Sequence, residues 1–403
     1  MSGKTLFATD FPVYTITASF DGHVVVTGGG GSAKTGVPNA LELYEVKRVG
    51  NDVVAQAIHR HSFTTELVMN AARHPTQERH MAIGVDNSCH TICLHKEKTD
   101  EDNKEKSDVV QRKKDKDGDK KQQSVEEVEK ETYKYKVEVM HTEQTDFSEA
   151  DPLQKVVCFS HDGTCVITGG IDGCVRCWKF PGIKMVHKLT GHEKEVDDLT
   201  SHPDKQLVVS VSHDCQMKVW DTNKGQLEKT CECQPDKKTM WRVRACRFAK
   251  TEEGNVYLFT ISVPVSLPKK ELHNSYVCRW SVSDWEVDTT LKYKGDILTA
   301  LAVSNCGRYV AVGSASGDVA MYNKDLKLLT KSKEIHSLFV TGVCFMKFPS
   351  PTSNDDDMMT VLSVSADQTC CVTIAPPLLG LIWFFLFLFL LGCVIVMIIM
   401  LLW

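Results

Sequence analysis

The feature that most constrains this chain is a short apolar strand that recurs along most of its length. Each copy carries glycine or serine at or next to its end, and several run on into an aspartate turn. The copies are His23-Val24-Val25-Val26-Thr27-Gly28, Met81-Ala82-Ile83-Gly84-Val85-Asp86, Cys165-Val166-Ile167-Thr168-Gly169-Gly170-Ile171-Asp172 and Leu207-Val208-Val209-Ser210-Val211-Ser212-His213-Asp214. Phe259-Thr260-Ile261-Ser262-Val263, Val310-Ala311-Val312-Gly313-Ser314 and Val361-Leu362-Ser363-Val364-Ser365-Ala366-Asp367 bring the series to seven. Most are followed by a second strand, such as Val175-Arg176-Cys177-Trp178 or Lys218-Val219-Trp220-Asp221. Many are preceded by another, such as Val156-Val157-Cys158-Phe159. One such unit cannot bury its apolar faces alone, so the copies must stack against one another. The expected fold class is all-β.

A unit of about 40–45 residues with four strands is the pattern of a WD-repeat blade, and seven of them make a seven-bladed β-propeller. The sharpest copy carries Gly191-His192, Asp214 and Trp220-Asp221. In such a unit the histidine, the turn aspartate and the tryptophan form a buried hydrogen-bonded lock. A structural role for His192 and Asp214 is therefore preferred to a catalytic one. The last copy shows three strands. Lys4 to Ala8 is expected to supply its fourth strand, closing the ring and removing an open sheet edge. About residues 97–131 mix charges densely and hold almost no apolar side chains, so a disordered loop within blade two is expected there. The basic cluster Arg112-Lys113-Lys114-Asp115-Lys116 inside it could pass for a nuclear signal, but interleaved aspartates weaken that reading.

Leu378 to Trp403 contains no charged residue. It exceeds the ~20 apolar residues that span a bilayer, and a C-terminal transmembrane α-helix is expected over 378–403. A span at that end inserts after synthesis, leaving residues 1–375 in the cytosol. The 16 cysteines lie scattered through strands rather than in a paired framework, which agrees with a reducing compartment. The formal net charge of −5 argues against a general nucleic-acid surface, so no nucleic-acid partner is expected.

The unusual element sits in blade one: Thr27-Gly28-Gly29-Gly30-Gly31-Ser32-Ala33-Lys34-Thr35-Gly36-Val37-Pro38-Asn39-Ala40. Ordinary blades of this kind join these two strands by a tight turn of a few residues. A run of peptide groups without side chains can coordinate a cation through carbonyls or cradle an anion through N–H groups. The stretch fails the G-x-x-x-x-G-K-[ST] nucleotide template, and a strand rather than a helix follows it.

A seven-bladed propeller with this first-blade loop, the preceding Phe11-Pro12-Val13-Tyr14 and a C-terminal anchor resembles the endoplasmic reticulum exchange factors that start COPII coat assembly. Their animal members are called prolactin regulatory element-binding proteins. The resemblance implies a guanine nucleotide exchange factor with no chemical catalysis of its own. It would eject GDP from a Sar-type small GTPase at the endoplasmic reticulum membrane, with other COPII components as further partners. It implies that Gly28, Gly29, Gly30, Gly31, Lys34, Thr35, Gly36, Val37, Pro38 and Asn39 form the exchange loop. Val37 and Pro38 would be apolar contacts on the GTPase. No organic cofactor is implied, but a structural potassium ion is, with Asn39 and loop carbonyls near it.

Three other readings compete. A membrane-tethered scaffold without exchange activity differs only in the role of the loop. A transcription regulator would need a basic groove or a DNA-binding element, and neither is present. A zinc centre at Cys89, His90, Cys93 and His95 is disfavoured because successive strand residues point to opposite faces and no second pair lies at zinc spacing. Cys231 and Cys233 read as ordinary strand residues.

Overall fold

The computed structural model describes residues 3–18, 22–32, 36–50, 52–98, 133–236, 239–266, 273–348 and 359–375. The expected membrane segment 378–403 lies outside the described residues, as does most of the charged insertion. Among the described residues, no helix is long and apolar enough to cross a membrane.

The chain forms seven four-stranded antiparallel sheets, which are the seven expected blades. Each recurring apolar strand noted above is the second strand of its sheet. In chain order β1 (Lys4–Ala8) precedes blade one, whose outer strand is β5 (Asp52–Phe63). Between them run β2 (Val13–Ala18), β3 (His23–Gly28) and β4 (Asn39–Val49). β1 is no part of this blade; it pairs with Thr369–Ala375 of blade seven, in register Lys4↔Val372 and Ala8↔Thr369. The expected closure by the N-terminus is therefore what completes the ring. In blade two the strands Ser88–Lys98 and Tyr133–Gln144 pair out to Lys98↔Tyr133, so the ladder runs a little further into the charged stretch than expected.

The core is partitioned rather than central. Seven apolar clusters lie one at each junction between neighbouring blades. The junction of blades one and seven joins Phe11, Val13, Val24 and Val26 to Met346, Leu362, Val364 and Cys370. Alternation explains this. Middle strands are apolar on both faces because each face meets a different neighbouring blade, whereas the outer strands are polar on one side.

The histidine lock forms as expected. His192 Nδ1 lies 2.8 Å from Asp214 Oδ2, and Nε2 lies 2.7 Å from Ser210 Oγ, which also accepts the Trp220 indole N–H at 2.8 Å. A second lock, which the sequence pattern did not single out, joins His336 to Ser363 Oγ at 2.8 Å and Thr369 Oγ1 at 2.9 Å.

Candidate functional site

The two ends of the propeller are unlike. One end carries the connections between second and third strands and those between blades. At this end Gly29 N–H donates to the Pro12 carbonyl at 3.1 Å, and Ser337 N–H donates to Asp367 Oδ2 at 2.8 Å. The glycine-rich loop joins β3 to β4 and so belongs here. A cavity of about 480 Å³, lined by His74, His80, Asp162 and Phe180, sits at the opposite end and is remote from the loop.

The structure reassigns the borders of the loop. Gly28 is the last residue of β3 and Asn39 the first of β4, and both are buried. Gly29 to Pro38 make the excursion, within which Ala33, Lys34 and Thr35 lie outside the described residues. Gly28 is required for close approach, because a Cβ there would come within 1.9 Å of the Pro12 carbonyl oxygen. Gly29 has φ +149° and a Cβ there would meet Asn39 Oδ1 at 2.1 Å. At Gly28 and Gly29 the backbone is thus packed too tightly for any side chain.

Asn39 is what orders the near half of the loop. Gly31 N–H donates to Asn39 Oδ1 at 2.9 Å, and Asn39 Nδ2 donates to the Gly31 carbonyl at 3.2 Å. Asn39 is 3 % exposed, so its carboxamide reaches the half-buried Gly31 from a buried position. A primary amide is the side chain that can satisfy a peptide N–H and C=O together. Val37 is only half-buried and packs against the blade one and seven cluster, so part of its surface serves the scaffold. Pro38 is half-buried and Gly36 exposed.

Below the loop, β4 and β5 carry a polar cluster. Tyr44 O–H donates to Glu42 Oε2 at 2.6 Å, and Arg60 Nη1 reaches Glu42 Oε1 at 3.2 Å and Asp10 Oδ1 at 2.9 Å. The Tyr44 ring stacks on Phe7 at 3.7 Å, and burial together with the Glu42 carboxylate pushes its phenol well above the ordinary value. Sequence reasoning missed this cluster, because its members are spread over β1, β4, β5 and the turn before β2. It ties the closing strand to the blade that bears the loop.

No catalytic constellation accompanies the loop among the described residues. Cys89 packs with Ala82, Val157 and Trp178 between blades two and three, so the Cys/His run does not gather round a metal. Glu195, Asp197 and His213 do converge. Their carboxylates are already met by Lys155 (2.9 Å to Glu195, 2.7 Å to Asp197) and by Arg242 (2.8 Å to Asp197), which makes an ion-pair network. Cys233 is not a strand residue as expected; it lies beyond the strand Gln226–Cys231, buried 3.7 Å from Cys278 Sγ.

Comparison with known proteins agrees with this architecture. The WD domain, G-beta repeat model matches residues 154–179 and 183–221. The guanine nucleotide-exchange factor SEC12 of Rattus norvegicus is 32 % identical over 417 aligned residues, covering 99 % of this chain and 97 % of the relative, and that of Mus musculus matches equally. SEC12-like protein 1 of Arabidopsis thaliana is 26 % identical over 46 % of the chain. Likeness of that degree along the whole chain, on a closed propeller with a clasped glycine loop, places this protein in the SEC12 family of guanine nucleotide-exchange factors.

Proposed function

We propose that this protein promotes GDP release and GTP loading on a Sar-type small GTPase at the endoplasmic reticulum membrane, and so starts COPII coat assembly. The observation that carries the reading is full-length similarity to proteins named as guanine nucleotide-exchange factors. The loop Gly29–Pro38, with its flanks Gly28 and Asn39, is the element we assign to exchange. Residues 378–403 are the anchor. On this reading the chain regulates a GTPase and carries out no bond-making chemistry itself.

The physical basis is coupling between two ligands of one GTPase. A factor that binds the nucleotide-free form better than the loaded form weakens nucleotide binding by the same factor. Each tenfold takes about 1.4 kcal/mol, so a tight nucleotide demands a stiff surface that loses little entropy on binding. The Asn39 clasp supports this, because it fixes a glycine segment that would otherwise be among the most mobile of sequences.

A structural potassium ion belongs to the same proposal. Residues 28–39 contain no carboxylate, so their donors are uncharged oxygens, which suit a monovalent cation better than calcium or magnesium. Asn39 Oδ1 keeps a second lone pair after accepting the Gly31 N–H. Asn39 and loop carbonyls would hold the ion, whose contribution would be further rigidity.

The test is release of labelled GDP from a purified Sar-type GTPase, with and without this protein, in potassium and in sodium buffer. Acceleration by the wild type that falls at least about tenfold in Asn39→Ala is expected. A correctly folded protein that accelerates release from no Sar-type GTPase would leave a tethered scaffold instead.

A further inference from the structure

Large apolar side chains exposed on this propeller are not distributed evenly. Most lie on outer strands, such as Met185, Val186, Leu227 and Leu328. Among the described residues those outside strands are Phe147, Met240, Val265, Leu338 and Phe339, and each sits in a connection at the end that carries the glycine loop. Leu338 and Phe339 are 47 % and 45 % exposed and adjacent in sequence. They enter blade seven, next to blade one. Two residues on, Thr341 Oγ1 donates to the Val13 carbonyl at 2.7 Å, and Val13 pairs with Gly28. A short covalent and hydrogen-bonded path therefore runs from this pair to the loop.

The fold does not need apolar residues here. Blade four builds the same entry with the same spacing: His192 of its lock, then Glu193-Lys194-Glu195, then the strand from Val196. Blade seven has His336, then Ser337-Leu338-Phe339, then the strand from Val340. In both, the residue after the histidine donates its N–H to the turn aspartate, Glu193 to Asp214 at 3.1 Å and Ser337 to Asp367 at 2.8 Å. Where blade four carries an exposed lysine and a half-exposed glutamate paired with Lys155, blade seven exposes a leucine and a phenylalanine. Exposed apolar pairs that packing does not require mark contact surfaces.

We propose that Leu338 and Phe339 form an apolar lip that grips the small GTPase beside the exchange loop. This rests on the exchange reading above and extends its contact surface from blade one to blade seven. The occupant is the GTPase rather than lipid or a second copy, because the lip is continuous with the loop through Thr341, Val13 and Gly28. It also lies at the opposite end from Ala375, where the described chain stops at the foot of its strand. The lip supplies binding, while the loop acts on the nucleotide site.

The test is GDP release by the full chain in vesicles over a range of GTPase concentrations. Two double variants are compared with the wild type. Leu338→Lys with Phe339→Glu installs the residues blade four already carries, and Leu338→Ala with Phe339→Ala removes the side chains without adding charge. Thermal melts check folding. The concentration for half-maximal exchange should rise about tenfold, with the maximal rate within about twofold. A wild type that accelerates release and variants with the same concentration dependence would overturn the lip. So would unchanged exchange with lost self-association or vesicle contact, which would assign the pair to a second copy or to lipid. A wild type without exchange activity would instead sink the reading on which the lip rests.

Discussion

Asn39 concentrates the chemistry of the loop in one side chain. Its amide makes two partly buried hydrogen bonds, to the N–H and the C=O of Gly31, and bonds of this kind contribute about 1 kcal/mol each. Asn39→Ala should lower stability by about 2 kcal/mol in urea titrations, besides slowing exchange. Asn39→Asp keeps the acceptor but turns a carboxylate oxygen toward the Gly31 carbonyl, and should recover neither property. The histidines form a second residue-scale group. His74 Nδ1 accepts the Gln77 N–H at 2.9 Å, and His202 Nδ1 accepts those of Asp204 and Lys205 at 3.0 and 3.1 Å. A ring nitrogen that accepts cannot be protonated. Burial pushes His74, His192 and His336 below the ordinary value of 6.5, and His202 down to about 4. These groups are depressed in the folded state, so the unfolded chain takes up protons first as pH falls. Their stability is whole above about pH 6.5 and drains toward pH 4. Melting temperature should be level from pH 7 to 8 and decline steadily below 6.5; a rise on acidification would contradict this assignment.

At the scale of elements, β1 is the closing piece. It covers the edge of Thr369–Ala375 and brings Phe7 onto Tyr44 of blade one. Without it, a strand of unpaired peptide groups would face solvent at the seam of the ring. Deletion of residues 1–9 should lower the melting temperature by at least about 5 °C and promote aggregation, measured by calorimetry and light scattering. The β3–β4 connection is the other decisive element. Gly29→Ala puts a methyl group onto Asn39 Oδ1 and should abolish loop order while leaving the seven sheets intact. Circular dichroism like that of the wild type together with lost exchange is the expected outcome.

The whole molecule separates two tasks by its two ends. The glycine loop and the lip lie at one end, while the strand Thr369–Ala375 runs away from them and stops at the other. With an anchor beyond Ala375, the loop would face away from the bilayer and into the compartment where the GTPase diffuses. Protease added to sealed endoplasmic reticulum vesicles should then degrade the propeller without detergent. Protection of the propeller would contradict a cytosolic face.

Much of this was legible in the residues. Seven apolar strands with Gly or Ser at or next to their ends fixed the number of blades, because strand alternation and turn chemistry are local properties. The lock of His192, Asp214 and Trp220 and the closure by Lys4 to Ala8 were readable for the same reason, one from motif and one from a missing strand. The lock at His336 was not, since its partners Ser363 and Thr369 are unremarkable residues that only pairing brings together. Sequence also placed the loop but not its mechanics. That Asn39 turns inward to clasp Gly31 depends on the folded shape of one hairpin; that Val37 leans on the junction of blades one and seven, and that Thr341 beyond Leu338 and Phe339 bonds to Val13, depend on ring closure. Closure places residues more than three hundred positions apart in contact, and no local pattern encodes which of them will meet.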